Sequence, residues 1–223
     1  MMSKKSADLY DHTLDYYNSN AAETFRLYGS KPSPYKDRFK AYFKAESEIL
    51  DIGSGSGRDV QTLLEQGFDA YGMDASEELI RLSKSGFKEL ADRFKTGSLP
   101  DEIPDTFSNR EWDGILCSAV LQHIPDNHLF DTTFTFHRLL KIGGRLLVTV
   151  PLTYPGIIND RDAKDRLFRI RPAQEYVFLF ERIGFQLVSQ EERSDGLNRG
   201  GISWSELLFQ KKDLSGIRAI DGV

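Results

Sequence analysis

Short apolar runs closed by glycine or an acid alternate along this chain with stretches whose apolar residues recur every three or four positions. Glu48–Gly53, reading EILDIG, is the first such run and suits a parallel strand buried on both faces. Arg58–Gln66 follows with Val60, Leu63 and Leu64 on one helical face. Phe68–Asp74 reads as a second strand. Ser76 is placed to cap the next helix, with Glu77 and Glu78 in a first turn where acids suit the helix dipole. Trp112–Ser118 is another buried strand. Asp126 is expected to cap a helix with Leu129, Thr133, Phe136 and Leu140 on one stripe. Gly143-Gly144 should end that helix before the strand Arg145–Val150. Pro172–Ile183 reads as a helix stopped by Gly184. Phe185–Glu191 and Ile202–Gln210 read as strands with only a Gly/Asn-rich loop between them, so they are expected to pair antiparallel.

This alternation predicts βαβ units, hence an α/β protein with a mainly parallel sheet and one reversed strand near its end. Ahead of it the chain is polar and rich in aromatics. Leu14, Tyr17, Ala21, Thr24 and Phe25 fall near helical spacing, Lys31-Pro32-Ser33-Pro34 breaks that helix, and a short helix is expected from Tyr35 to Lys44.

Composition narrows the function. The 223 residues carry a formal charge of −5, which argues against a surface built mainly for phosphate backbones. No apolar run approaches the roughly 20 residues that span a bilayer, and the N-terminus lacks the apolar centre of a signal peptide. A single cysteine, Cys117, excludes an internal disulfide and a multi-cysteine zinc site, so the cytoplasm is the expected compartment. His123 and His128 miss the spacing that puts two ligands on one helical face, and no metal is expected. One stretch runs against the acidic balance. Arg161–Arg171 holds Arg161, Lys164, Arg166, Arg169 and Arg171 with two acids. It reads as a lining for an anionic substrate, an RNA contact, or a solvated face held by salt bridges.

The most informative segment is Asp51-Ile52-Gly53-Ser54-Gly55-Ser56-Gly57, between the first strand and its helix. A dinucleotide fingerprint would want glycine at 58, where this chain has Arg58. A pyrophosphate wants free N–H groups and no carboxylate beside it; a ligand with an ammonium group accepts Asp51. Asp74, ending the second strand, stands where a doubly wound sheet faces the ribose hydroxyls of a nucleoside. A plain tight turn and a plain helix cap are the simpler readings of these two features.

The blocks ILDIGSGSGRD, YGMDAS, WDGILCSAVLQHIP and LLKIGGRLLVTVP, in this order over Glu48–Pro151, resemble the class I S-adenosylmethionine-dependent methyltransferases. The resemblance implies a Rossmann-like, doubly wound, seven-stranded sheet, although only six strands can be placed from the pattern. It implies an N-terminal helical lid over residues 1–44 and a cofactor-binding methyltransferase domain over 45–212. The tail, 213–223, stops mid-pattern and reads either as an ordinary frayed terminus or as the way into a further domain. By the same resemblance, Gly53, Ser54 and Gly55 cradle the methionine part of S-adenosylmethionine, with Asp51 near its amino group. Arg58 meets the carboxylate or orders the loop. Asp74 holds the ribose hydroxyls, and Ala75 lies against the adenine. The family often has an acid at the adenine-contacting turn; here Ser98 and the backbone of Leu99 take that place. Cys117 and Ser118 offer backbone to the cofactor's amino group, and Tyr17 belongs to the lid.

Methyl transfer mostly needs alignment and the exclusion of water. Tyr10, Tyr16 and Tyr17 are candidates for facing the sulfonium cation or for packing. His123, just past the fourth strand of the family's sheet, is the candidate general base, with packing as the alternative; Cys117 reads as a small buried hydrophobe rather than a nucleophile. Tyr154, in the segment after Arg145–Val150, is expected at the acceptor mouth. The chain lacks the Asn/Asp-Pro-Pro-Tyr-like and Pro-Cys boxes of the DNA-methylating branches. The expected acceptor is therefore a small molecule, with no nucleic acid and no membrane. A protein or RNA acceptor, and a non-catalytic cofactor-binding module, are the alternatives. Monomer and dimer are both open.

Overall fold

The computed structural model describes residues 4–213, with side chains from His12 onward. The chain opens with helices α1 (Lys4–Ser19), α2 (Ala21–Gly29) and α3 (Phe39–Tyr42). Next come β1 (Glu48–Ile52), α4 (Arg58–Glu65), β2 (Asp69–Asp74), α5 (Glu77–Gly86), β3 (Phe94–Thr96) and α6 (Asp105–Ser108). The second half is β4 (Trp112–Ser118), α7 (Asp126–Leu139), β5 (Leu140–Thr153), α8 (Ala173–Arg182), β6 (Phe185–Ser194) and β7 (Ser203–Lys211).

The seven strands form one sheet in the order β3-β2-β1-β4-β5-β7-β6. All pairs among the first five are parallel, and β7 runs antiparallel to both β5 and β6. The chain winds outward from β1 to β3, then restarts at β4 on the other side of β1. That reversal opens a crevice at the carboxyl ends of β1 and β4, where a doubly wound sheet binds its ligand.

The continuous apolar strands are explained by cover on both faces. Successive side chains of β1 point to opposite sides, so Ile49 and Leu50, both fully buried, enter different cores. Leu50 joins Trp112, Phe136, Tyr176 and Phe180 under α7 and α8. Ile49 joins Phe39, Val60, Leu63 and Phe94 on the other face. Tyr35, Tyr42 and Phe43 are buried in that second core, so the segment around α3 is packed into the sheet domain.

Several details differ from the sequence pattern. The first helix is two helices, interrupted at Asn20, whose amide donates to the Tyr16 carbonyl at 2.9 Å. Only Phe39–Tyr42 of the expected second helix is helical. Asp126 does not cap α7: Pro125 occupies that position, and the Asp126 carboxylate instead pairs with Arg169 and Arg171. The helix ends at Leu139, four residues before the glycines, and Gly143, at φ +79°, lies inside the long β5. The seventh strand, β3, is three residues long, too short to leave a pattern. Ser76 is the N-cap expected of it, accepting the Leu79 N–H at 3.2 Å. Apart from Asp213, the tail lies outside the described residues, as does the Tyr10 side chain.

Candidate active site

The loop after β1 turns sharply through Gly53, Gly55 and Gly57, with φ of +80°, +52° and +75°, values costly for any residue with a side chain. Four of its N–H groups are already engaged. Gly53 and Ser54 donate to the Met73 carbonyl at 2.7 and 2.9 Å, Gly57 donates to Ser54, and Gly55 donates to an Asp74 carboxylate oxygen at 2.8 Å. A pyrophosphate cradle needs those groups free. The second Asp74 oxygen accepts the Ser76 N–H at 2.9 Å. Each oxygen retains acceptor capacity, which suits the two hydroxyls of a ribose. Burial raises the pKa of Asp74, and the two N–H bonds oppose that rise.

Gly53, Ser54, Gly55, Arg58, Asp74 and Ala75 all line one cavity of about 480 Å³, together with Ser98, Leu99 and Tyr17. Asp51 and Cys117 are not among its lining residues. Asp51 is 2% exposed beneath the loop. Burial, then the nearby Asp59 carboxylate, lifts its pKa well above the usual carboxylate range, against the pull of Arg58. Cys117 is wholly buried in the core, where burial pushes its thiol pKa up, and the cavity wall begins one residue later at Ser118. A buried thiol of this kind is a poor nucleophile. Arg58 is held by Asp59 through two hydrogen bonds of 3.1 and 2.8 Å.

His123 faces the same cavity from beyond β4. Its Nδ1 lies 2.5 Å from the Leu167 carbonyl, a contact only an Nδ1–H can make, so Nε2 carries the lone pair. That lone pair meets the Tyr17 hydroxyl at 3.2 Å. The Tyr17 oxygen also accepts a 2.7 Å bond from Arg166, whose guanidinium is fixed by Asp162. Burial first, and Arg166 second, lower the His123 pKa to about 4. The imidazole is therefore neutral at pH 7, with both nitrogens bonded. Burial keeps Tyr17 a phenol.

The basic stretch 161–171 is largely ion-paired. Arg161 pairs with Asp165, Arg166 with Asp162, Arg169 with Asp160 and Asp126, and Arg171 with Asp126. Arg171 is 5% exposed and ties Asp126 to the carbonyls of Leu121 and Ile124. Four of the five cations thus serve the structure of the segment behind His123.

Two further clusters in the cavity wall were not singled out as such from the sequence. Tyr35, Ser118 and Thr149 form a hydroxyl triangle with edges of 2.5, 3.2 and 3.1 Å, assembled from three distant elements. Asp195 accepts bonds from Arg199, from the Leu197 and Arg199 N–H groups and from the Trp204 indole, which lowers its pKa to about 2. The Asp195/Arg199 spacing of four was the available hint. Among the described residues, no group of three or more His, Cys, Asp or Glu side chains is arranged to hold a metal, and no helix is long and apolar enough to cross a membrane.

The sheet order and the glycine loop define a Rossmann-like protein of the class I methyltransferase type. Residues 23–190 match the methyltransferase-domain family, and the chain belongs to it. Among curated relatives, a demethylmenaquinone methyltransferase of Tropheryma whipplei is 29% identical over 109 residues, 47% of this chain and 41% of the relative. A ubiquinone biosynthesis O-methyltransferase of Nitrosomonas europaea is 25% identical over 166 residues, covering 71% of this chain and 66% of the relative. The chain thus spans less than two thirds of the length of either. Among solved structures, the Burkholderia thailandensis 1,6-didemethyltoxoflavin-N1-methyltransferase superposes with a TM-score of 0.72 at 18% identity, covering 96% of this chain and 93% of that one. That enzyme was solved with 1,6-didemethyltoxoflavin and S-adenosylhomocysteine bound.

Proposed function

We propose that this protein methylates a small-molecule acceptor held in the cavity beside Tyr17 and His123. The observation that carries the reading is the cavity itself. Asp74 and the glycine loop line it together with Tyr17, His123, Tyr154 and Phe168, so a cofactor side and an acceptor side share one space. The pairing of the 161–171 cations supports a small acceptor over RNA, because cations already held by carboxylates add little to phosphate binding. Relatives named for methylating demethylmenaquinone and for ubiquinone biosynthesis support it too.

In this reading Asp74 holds the ribose hydroxyls, with Ala75, Ser98 and Leu99 around the adenine. Gly53, Ser54 and Gly55 shape the methionine end, with Asp51 beneath and the Ser118 side of Cys117 beside it. Arg58 meets the carboxylate. The bound S-adenosylmethionine supplies a methyl group on a sulfonium, open to in-line displacement. The chain's own task is to align the acceptor and exclude water. Of the expected lid over residues 1–44, α1 and α2 act as the cover, through Tyr17, while the segment around α3 belongs to the sheet's core. His123 orients Tyr17 and stays neutral, because burial first and Arg166 second disfavour an imidazolium, so the acceptor's proton leaves to water. The cytoplasm is part of this reading, supported by the free, buried thiol of Cys117.

The test is transfer of label from methyl-tritiated S-adenosylmethionine into a cell extract, split into small-molecule, protein and nucleic-acid fractions, with Asp74→Ala beside it. Label in the small-molecule fraction that disappears with Asp74→Ala is the expected result. Label in protein or RNA overturns the small-molecule reading.

A further inference from the structure

The acceptor side of the cavity is a run of rings. Tyr17 meets His123 edge-on with centroids 5.7 Å apart, and His123 meets Phe168 edge-on at 5.5 Å. Phe168 lies against Tyr154 at 4.3 Å, and the Arg199 guanidinium stands 5.7 Å from the Tyr154 ring. Trp204 lines the same cavity and is fixed by its indole bond to Asp195. Fixed rings of this kind bind a flat π-system through offset or edge contacts.

The charges on this wall are already cancelled. Arg166 is held by Asp162, and Arg199 by Asp195. Among the described residues the lining cation without an ion pair is the exposed Lys31, on the segment after α2. An acceptor carboxylate or phosphate against the rings would compete with those two pairs. The same holds for bases. Four carboxylates line the cavity, and each is engaged: Asp59 by Arg58, Asp74 by two N–H groups, Asp195 by Arg199 and Trp204, and Glu206 by Arg38 and Tyr42. His123 has both nitrogens bonded. Among the described residues, no carboxylate or imidazole of the wall stands ready to deprotonate an ammonium group or an aliphatic alcohol.

We propose that the acceptor is a flat, uncharged conjugated ring bearing an N–H or O–H acidic enough to ionise near neutrality, a heteroaromatic lactam or an enol-like hydroxyl being the chemical type. The proposal rests on the methyltransferase reading above and specifies its substrate class. In the reaction the X–H bond of the ring breaks with its electrons left on X, and the proton leaves to water. The X–CH₃ bond then forms as the methyl–sulfur bond of the donor breaks with its electrons left on sulfur. Tyr154 supplies the stacking surface, backed by the buried Phe168, and the Tyr17 hydroxyl is the polar group at its end.

The two tryptophans make a direct test. Trp112 is fully buried in the core, whereas Trp204 lines the cavity, so a ring entering the site quenches Trp204. Binding of S-adenosylhomocysteine is first measured by calorimetry. The loaded protein is then titrated with lumazine and 8-hydroxyquinoline as flat neutral probes, quinoline-2-carboxylate as a flat anion and sarcosine as an aliphatic amine, followed by fluorescence and thermal shift. At least one neutral ring is expected to bind at least about tenfold tighter than the anion and the amine. Tyr154→Leu is expected to weaken that ring about fivefold while leaving S-adenosylhomocysteine affinity unchanged. Tighter binding of the anion or the amine, or failure of both neutral rings on a protein that binds S-adenosylhomocysteine, overturns the proposal alone. Failure to bind S-adenosylhomocysteine brings down the methyltransferase reading with it.

Discussion

The Tyr17 hydroxyl lies 3.2 Å from His123 Nε2 although 106 residues separate them, and this contact fastens α1 to the segment behind β4. Thr13 adds a second fastening one turn earlier, where its hydroxyl accepts the Leu167 N–H at 2.8 Å. The roof of the cavity is therefore held by polar groups that themselves line it. Tyr17→Phe keeps the ring but strands the Arg166 Nη1 donor and the His123 lone pair. A buried polar group left unpaired costs about 1–3 kcal/mol, so urea unfolding should show a loss in that range. A loss below a few tenths would mean that the hydroxyl holds nothing.

Stability should also depend on pH through His123. Its folded pKa is about 4, against an ordinary value of 6.5 for an exposed imidazole. Between those values the unfolded chain binds the proton and the folded chain does not. Stability from this group is therefore complete above pH 6.5 and is lost as pH falls towards 4. The loss amounts to about 3 kcal/mol. His137, also lowered by burial, adds a slope of the same sign. The difference between wild type and His123→Gln isolates the first contribution. Urea midpoints from pH 4 to pH 8 should fall less steeply for the variant; parallel curves would remove His123 from the account.

The sheet was largely readable because β1, β2 and β4 are short, mainly apolar runs, the first two closed by Gly53 and Asp74, a pattern that burial on both faces makes stable. The glycine loop and Asp74 were readable for the same reason: they sit at strand ends fixed by that pattern. Of the cavity wall beyond the loop, Tyr17, His123 and Tyr154 could be singled out one by one, but not the contacts among the residues there. Tyr17, His123 and Arg166 come from three separate segments, and nothing local in any of them records the other two. Asp126 shows how local rules mislead. An acid at a helix start looks like a cap, but Arg171, 45 residues later, claims its carboxylate. The same pairing turns an apparently basic strip into scaffolding.

Asp74 is expected to separate cofactor binding from folding. Asp74→Asn keeps the shape but replaces one acceptor oxygen with an NH₂ that faces an N–H donor from Gly55 or Ser76. Hydrogen bonds to a charged group are worth about 1.5–3 kcal/mol. Affinity for S-adenosylhomocysteine should therefore drop by about tenfold or more in calorimetry. The melting temperature without ligand should move by only a few degrees, since the loop retains the Met73 bonds of Gly53 and Ser54. An unchanged affinity would take Asp74 out of the cofactor site.

Gly53 offers a sharper test of how the loop is built. Its φ of +80° disfavours any side chain, and a Cβ there would come within 2.2 Å of Val120 Cγ2. Gly53→Ala therefore carries two separable costs. The left-handed backbone accounts for about 1–2 kcal/mol, and the overlap with Val120 for about 1–3 kcal/mol more. Val120→Ala removes the overlapping methyl groups and leaves the backbone cost untouched. The double variant should be more stable than the sum of the two single effects by at least about 1 kcal/mol in a urea-unfolding cycle. Its affinity for S-adenosylhomocysteine should stay below wild type, because the Gly53 and Ser54 N–H bonds to Met73 that fix the loop depend on the backbone angle rather than on Val120. Strict additivity would mean that the loop swings away from β4 when Gly53 is changed, and that the close approach of Gly53 to Val120 does not hold the loop in place.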